Sequence, residues 1–443
     1  LLKHFNVFSL DGFGCEKMVG AASAAGAILR YVQENLPEAQ LTHIRALRVY
    51  HRERHMLLDD VSRRNLELTQ SLRDGGTDGT LYGVLNHTST AMGARLLRRW
   101  ITAPLLEVAA INARHDLIEA LMRAQAVIPH IQETLGSVGD LERLTSRLAT
   151  GFGSPRDMAA LRQTLHMLPV LRAALADVIA ARTQETLPMT VHGSAADGGL
   201  LDELQCNLTD VPELTETLDR ALTDAPPLKL QDGGIIREGY NAELDEVRAL
   251  AHSGKDWIAK LQQAETERTG IKSLKVGYNK VFGYYIEVTK ANLQLVPQDY
   301  IRKQTIANGE RFVTPGLKEM EARILHADER ARELEYELFQ QLRLLIAANN
   351  EAMQRISGAL ALLDVVQNLA WLALQRNYCR PVITTEDELH IHAGRHPVVE
   401  CLLPEQQFVP NDVQLNTGTA QIVILTGPNM AGKSTYIRQV ALL

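Results

Sequence analysis

The chain is poor in the residues that staple or anchor a protein. Its four cysteines, Cys15, Cys206, Cys379 and Cys401, lie far apart and form no CxxC pair. That argues against a disulfide framework or a cysteine zinc site, so they read as small buried hydrophobes in a reducing compartment. Aromatics are only 5% of the residues. There is no run of eighteen apolar residues, so no membrane span is expected. There is no charged-then-apolar leader at the start. Basic residues are not in excess: 46 Lys and Arg stand against 53 Asp and Glu, a net charge of −7. This excludes a histone-like polycation, although a local basic site can hide inside such an average. With 45% hydrophobic and 22% charged residues over 443 positions, what remains is an ordinary globular composition, enough for about three domains. The first residue is Leu1 and the last, Leu443, falls inside a helix that has barely begun, so the sequence reads as a piece of a longer protein.

The pattern divides the chain. Residues 1–58 read as a small mixed unit, with a helix over 20–31 and a strand over 41–49. From Asp59 to about Ala225 the spacing is mostly helical. Helices are expected at 90–101, with Met92, Leu96, Leu97 and Trp100 on one face and Pro104 ending it, and at 111–121, 141–148, 155–168 and 200–222. A loop is expected at 193–199. Asp224-Ala-Pro-Pro227 and Asp232-Gly-Gly234 are the clearest breaks. A helix over 243–261 follows. Then Lys275–Val288 turns rich in β-branched and aromatic residues, with Asn279-Lys280 at the turn of an expected hairpin, and a third strand is expected over 300–306. Thr314-Pro315 caps and starts a long helix. Its apolar residues recur at 317, 320, 324, 327, 331, 334, 338, 342 and 345, close to coiled-coil spacing. Arg330, Arg332, Glu333 and Glu335 read as its solvated flanks. A β insert thus sits between two long helices.

The strongest local signal comes last. Gln421–Thr426 is a short apolar run expected to be a strand. After it, Gly427-Pro-Asn-Met-Ala-Gly432-Lys433-Ser434 matches GxxxxGK[ST] at every fixed position, and a helix follows. Small residues let backbone N–H groups turn inward on a phosphate chain, at the positive end of the helix. In such a loop Lys433 can reach the β/γ-phosphates and the Ser434 hydroxyl can ligate Mg²⁺. The motif indicates binding of ATP or ADP. Hydrolysis needs further groups that the few residues after Ser434 do not supply.

Thr426–Thr435, with Pro428-Asn429-Met430 inside the loop, resembles the MutS family of DNA mismatch repair ATPases. So do Gly394-Arg-His-Pro-Val-Val-Glu400, Phe408-Val-Pro-Asn-Asp-Val413, Gly239-Tyr-Asn-Ala-Glu-Leu-Asp245, Arg63-Arg-Asn-Leu-Glu-Leu68 and Met92-Gly93 with Arg95-Leu96-Leu97. The resemblance implies a multidomain, mainly α architecture. Residues 1–58 would end a connector domain, and 59–254 with 317–380 would form a helical core with coiled-coil levers. Residues 255–316 would form a small β-rich DNA clamp, and 381–443 would begin a P-loop α/β ATPase domain of ABC type. It also implies that Phe408 stacks on adenine, with Val409 and Asn411 beside it, and that Gly427–Thr435 hold the nucleotide, with Lys433 the catalytic group. A homodimer, a MutL-type partner, mismatched duplex DNA as ligand and a cytoplasmic location follow from the same resemblance, as does ATPase activity for the longer protein but not for this stretch by itself. No membrane partner and no structural zinc are expected. His396 reads as a structural histidine bonded to backbone.

Residues 268–311 carry eight Lys and Arg against three Asp and Glu, a local charge of +5. That suits phosphate contacts, and Lys275, Lys280, Arg302, Lys303 and Arg311, then Asn279 and Asn308, are the candidates. The same composition also fits a solvated basic face on a small β unit. Tyr278, Phe282, Tyr284, Tyr285 and Tyr300 read as that unit's core. A non-catalytic DNA-binding scaffold, or another coiled-coil-armed ABC ATPase of the SMC type, are the alternatives; the latter carries its arms after the phosphate loop, whereas here they precede it.

Overall fold

The computed structural model describes residues 1–35, 44, 47, 49, 52–184, 199–279, 283–403 and 408–443. The strand expected over 41–49, the loop expected over 193–199, Lys280 and Phe282 therefore lie largely or wholly outside the described residues. The chain is mainly helical, with two small antiparallel sheets among the described residues, and it divides into two compact units. One comprises Leu1–Phe152, Ala160–Pro212 and Ala347–Leu443; the other comprises Gly153–Ala159 and Glu213–Ile346.

The N-terminal helices are α1 (Leu2–Phe5), α2 (Val19–Asn35), α3 (Asp60–Asn65) and α4 (Leu81–Leu85). Then come α5 (Ala91–Thr102), α6 (Val108–Arg123), α7 (Ile128–Gly136) and α8 (Leu141–Thr150). The helix expected over 155–168 is far longer, α9 (Pro155–Gln184), and runs through Pro169. The single helix expected over 200–222 is two, α10 (Leu200–Asn207) and α11 (Pro212–Ala221). Pro212 fits the first turn of a helix but not its interior, so it restarts the segment.

Next are α12 (Ala242–Thr269), β1 (Lys275–Asn279), β2 (Gly283–Thr289), β3 (Ile301–Ile306), β4 (Gly309–Val313), α13 (Pro315–Ala348) and α14 (Asn350–Arg376). The chain closes with β5 (Glu388–Gly394), α15 (Val399–Leu402), β6 (Asn411–Asn416) and α16 (Lys433–Leu442).

In the first unit α14 is the central element. It is apolar nearly all round, as a helix enclosed by others must be, and it packs on α5, α6, α7, α8 and α10. By length and hydropathy α9 and α14 would each suffice to cross a membrane, but 72% of the α14 window is buried inside the molecule. Asp364 and Asn368 of α14 are polar yet buried, and both are hydrogen-bonded. Asp364, fully buried, accepts Ser89 N–H at 2.9 Å, Thr90 N–H at 2.8 Å and the Thr90 hydroxyl at 2.6 Å. Thr90 in turn caps α5 by accepting Gly93 N–H. A Cβ at position 93 would overlap the Asp364 carboxylate, so Gly93 follows from the buried charge beside it. Asn368 accepts His87 N–H at 2.9 Å and donates to Leu85 O at 2.8 Å.

The second unit holds the four-stranded antiparallel sheet, in the order β1-β2-β4-β3. The expected hairpin pairs Lys275 with Glu287 and Asn279 with Gly283. A fourth strand, β4, was not expected. Its signal was present: Asn308-Gly309 is a strong hairpin dipeptide. One face of the sheet carries Ile286, Val288 and Phe312 into a core with Ile258 of α12 and Leu317 and Ile324 of α13. The chain leaves along α12, makes the sheet and returns along α13, which Thr314 caps by accepting Leu317 N–H. The apolar seam of α13 is buried at 317, 324, 327, 331, 334, 338 and 342, and then at Ile346 rather than Leu345. A cavity of about 890 Å³ opens between Val247 and Trp257 of α12 and Met320 and Ile324 of α13, so the two helices are not zipped along their whole length. Glu335 is not a solvated flank. It is buried and accepts Gly234 N–H, Ile235 N–H and Arg248, because an ionised carboxylate is retained inside only where several donors meet it.

The strand expected over 421–426 is not formed among the described residues. Ile422 and Ile424 are 83% and 82% exposed. A strand exists only by pairing, and among the described residues no other strand lies against this run.

Of the cysteines, Cys15 is buried, Cys401 is partly buried, and Cys206 and Cys379 are exposed. The latter pair departs from the expectation of buried small hydrophobes.

Candidate functional site

The loop before α16 is open to solvent from Gly427 to Ala431. Gly427 and Gly432 have φ of 149° and 85°, a region natural to glycine, and Met430 sits at 66° with its side chain fully exposed. Gly432 caps α16, so Lys433 and Ser434 are its first two residues. The Lys433 ammonium folds back over the loop and donates to Gly427 O and Pro428 O, each at 2.6 Å. The loop is thus wrapped around a cation supplied by its own helix. Pro428, Asn429 and Ser434 are exposed, and Thr435 is half-buried.

Helix α16 is anchored away from the loop. The Tyr436 hydroxyl donates to Asp412 O at 3.2 Å, and Arg438 meets Glu67 at 3.1 Å. Gln439 is fully buried with neither amide atom partnered, against Gly394, where a Cβ would lie 2.9 Å from its Nε2. Phe408 is half-buried, Val409 is exposed, and Asn411 opens β6 and donates to Val409 O at 2.9 Å. Asn411 pairs with Gly394 across the β5–β6 ladder, beside a bulge.

His396 follows β5 and is buried. Its Nδ1 accepts Val398 N–H and Val399 N–H, both at 3.2 Å, as expected for a structural histidine. Burial lowers its pKa from the ordinary range. Glu400, unassigned by sequence, accepts the Tyr378 hydroxyl at 2.8 Å and pairs with Arg395. Burial and that carboxylate push the Tyr378 phenol above its usual range. No group of three or more His, Cys, Asp or Glu capable of holding a metal occurs among the described residues.

The basic sheet is more self-paired than its charge suggests. On the face opposite the core, Lys275, Glu287, Arg311 and Gln304 form one row across the four strands. Arg311 bonds Glu287 at 3.2 Å and Gln304 at 3.0 Å, and stacks 4.2 Å over Tyr285. Arg302 pairs with Glu310 at 3.3 Å. Lys275, on one edge strand, and Lys303, at a bulge on the other, are exposed and have no carboxylate partner among the described residues. Asn308 is exposed at the β3–β4 turn and Asn279 is half-buried. Of the tyrosines, Tyr300 is in the core and Tyr284 lies against it, whereas Tyr278 is 51% exposed and Tyr285 is on the outer face under Arg311.

Sequence reasoning missed Glu321. It is buried on α13, accepts Tyr284 N–H at 3.1 Å and pairs with Lys318 at 2.9 Å. Gly283, at φ 77°, leaves the space that its carboxylate occupies. A glycine directly before an aromatic strand was the available signal.

Comparison with known proteins gives the chain a family. A family model described as MutS domain III matches residues 61–370. The DNA mismatch repair protein MutS of Symbiobacterium thermophilum is 47% identical over 442 residues, covering 100% of this chain and 48% of that protein. Those of Methanosarcina barkeri and Salinibacter ruber are 44% and 45% identical, each over 100% of this chain and 47% of the relative. The chain therefore spans about half the length of the curated relatives it matches, and over that span it belongs to the MutS family.

Proposed function

We propose that the chain serves DNA mismatch repair as the core, lever, clamp and phosphate-loop portion of an ATP-dependent protein that closes on duplex DNA. The observation that carries the reading is the family membership, joined to the GxxxxGK[ST] spacing at 427–434. The domain assignment is the one the resemblance implied: core and levers over 59–254 and 317–380, clamp over 255–316, ATPase domain from 381.

The loop's own chemistry fits a nucleotide. Its backbone is exposed, two glycines take φ values that keep it tight, and the ammonium already faces inward toward loop oxygens. Gly427–Thr435 would hold the phosphates of ATP or ADP, Lys433 would exchange its carbonyl partners for phosphate oxygens, and Ser434 would hold Mg²⁺. Bound, the ion would offset charge on the phosphates. Phe408 would stack on the base, with Val409 and Asn411 beside it.

On the sheet, Lys275 and Lys303 are free to meet duplex phosphate, whereas Arg302 and Arg311 would first have to leave Glu310 and Glu287. Asn308 and Asn279 add neutral donors. Nucleotide at the loop would bias the levers between open and closed states, a coupling that is reciprocal by linkage. A homodimer, a MutL-type partner and a cytoplasmic location complete the proposal.

Titration of the full-length protein with a fluorescent ATP analogue and Mg²⁺ tests it. Phe408→Ala should raise the nucleotide Kd about tenfold, the worth of one aromatic stack, with duplex affinity unmoved. No nucleotide binding by the unaltered protein, or an unchanged Kd in the variant, would contradict the assignment.

A further inference from the structure

Among the stretches singled out in the sequence, Arg63-Arg-Asn-Leu-Glu-Leu68 has no part in the function proposed above. The structure places it beside the phosphate-loop helix. Glu67 sits just past α3 with φ 48°, a left-handed conformation that a residue with a Cβ seldom takes. Both ends of its carboxylate are used. One oxygen accepts Leu72 N–H at 2.8 Å and the other meets Arg438 of α16 at 3.1 Å. Arg438 lies five residues along α16 from Lys433, about 7.5 Å on a rigid helix.

From Glu67 the contacts continue into the core. Glu67 O accepts Leu81 N–H at 3.1 Å and Leu68 O accepts Tyr82 N–H at 2.8 Å, so α4 hangs from this turn. At the other end of α4, Leu85 O and His87 N–H are both held by Asn368 of α14. Each non-covalent link on this path from α16 to α14 is thus a hydrogen bond or an ion pair.

We infer that Glu67 and Arg438 are positioning residues that couple the phosphate loop to the helical core. Neither touches the loop itself. Arg438 carries any movement of α16 to the turn at 67, and α4 carries it to α14. The inference rests on the proposed function for its two ligands, nucleotide and duplex DNA.

The test is a double-mutant cycle in the full-length protein. Duplex Kd is measured with and without saturating ATP analogue, and their ratio is the coupling factor. Glu67→Gln keeps an acceptor for Leu72 N–H and removes the charge facing Arg438; Arg438→Gln removes the partner, and Arg438→Lys keeps the charge. Each Gln variant should move the coupling factor about threefold toward one, the scale of a half-exposed ion pair. The double variant should be no worse than either single one, Arg438→Lys should retain most of the coupling, and each affinity measured alone should stay within twofold. An unaltered protein that couples, with variants that couple equally, overturns this inference alone. An unaltered protein that binds no nucleotide overturns the proposed function and this inference with it.

Discussion

Asp364 in the first unit and Glu321 in the second solve one problem with unequal means. Each is a buried carboxylate on a long helix, each accepts backbone N–H from a distant segment, and each occupies space that a glycine leaves open. Asp364 has no cation beside it among the described residues. It is met by two backbone amides, the Thr90 hydroxyl and Gln367. Glu321 has one backbone amide and the exposed end of Lys318. The difference teaches where rigidity is concentrated. Around α14 a charge is held by several fixed donors at a helix start, where the dipole also favours it. At the turn end of the β1–β2 hairpin it is held by few, so the hairpin is tied to α13 there by a lighter contact.

The sharpest way to break the comparison is to remove Asp364. Asp364→Ala orphans the two backbone amides and the threonine hydroxyl in a dry interior, and should cost about 4 kcal/mol. Denaturant midpoints should fall, and amide exchange over 87–102 should rise most. A change confined to the second unit would contradict the role given to this residue.

A smaller loss is expected at the other carboxylate. Gly283→Ala forces a Cβ toward Glu321 at a positive φ and should cost about 2 kcal/mol, with exchange rising in β1 and β2 rather than in α5. Equal losses at the two sites would remove the contrast.

The smallest effect is a pH dependence. His396 is neutral in the fold, because burial lowers its pKa and its Nδ1 must accept two N–H groups. The unfolded chain takes up a proton near pH 6.5 that the folded one refuses, so this contribution to stability is present above that pH and is lost as pH falls below it. His115, also lowered by burial, adds in the same direction. His396→Asn keeps an acceptor and should flatten part of the melting-temperature slope between pH 5 and 7. An unchanged slope would mean that His396 does not titrate with unfolding.

What the sequence made legible was local. The helix starting near residue 90, the Thr314 cap, the breaks at 224–227 and 232–234, the hairpin at 275–288 and the seam of α13 all depend on residues a few positions apart. What stayed hidden depends on distant partners. Asp364 meets Thr90 across 274 positions and Glu335 meets Ile235 across 100, and no periodicity marks a carboxylate as buried. The apolar run at 421–426 failed as a strand for the converse reason, since composition can favour a strand but only a neighbour can complete one. For the candidate site the motif singled out the loop at 427–434, but it gave no hint that Lys433 folds onto loop carbonyls, and composition gave none that Arg302 and Arg311 are already paired.

The most direct test of the central claim is duplex binding by the full-length protein across a salt series, with Lys275→Ala/Lys303→Ala beside the unaltered chain. A clamp that grips phosphate through these two free lysines should lose affinity on every duplex, and its log–log salt slope should become shallower by about two. A double variant with the same slope and affinity as the unaltered protein would contradict the account of the sheet as the DNA-gripping surface.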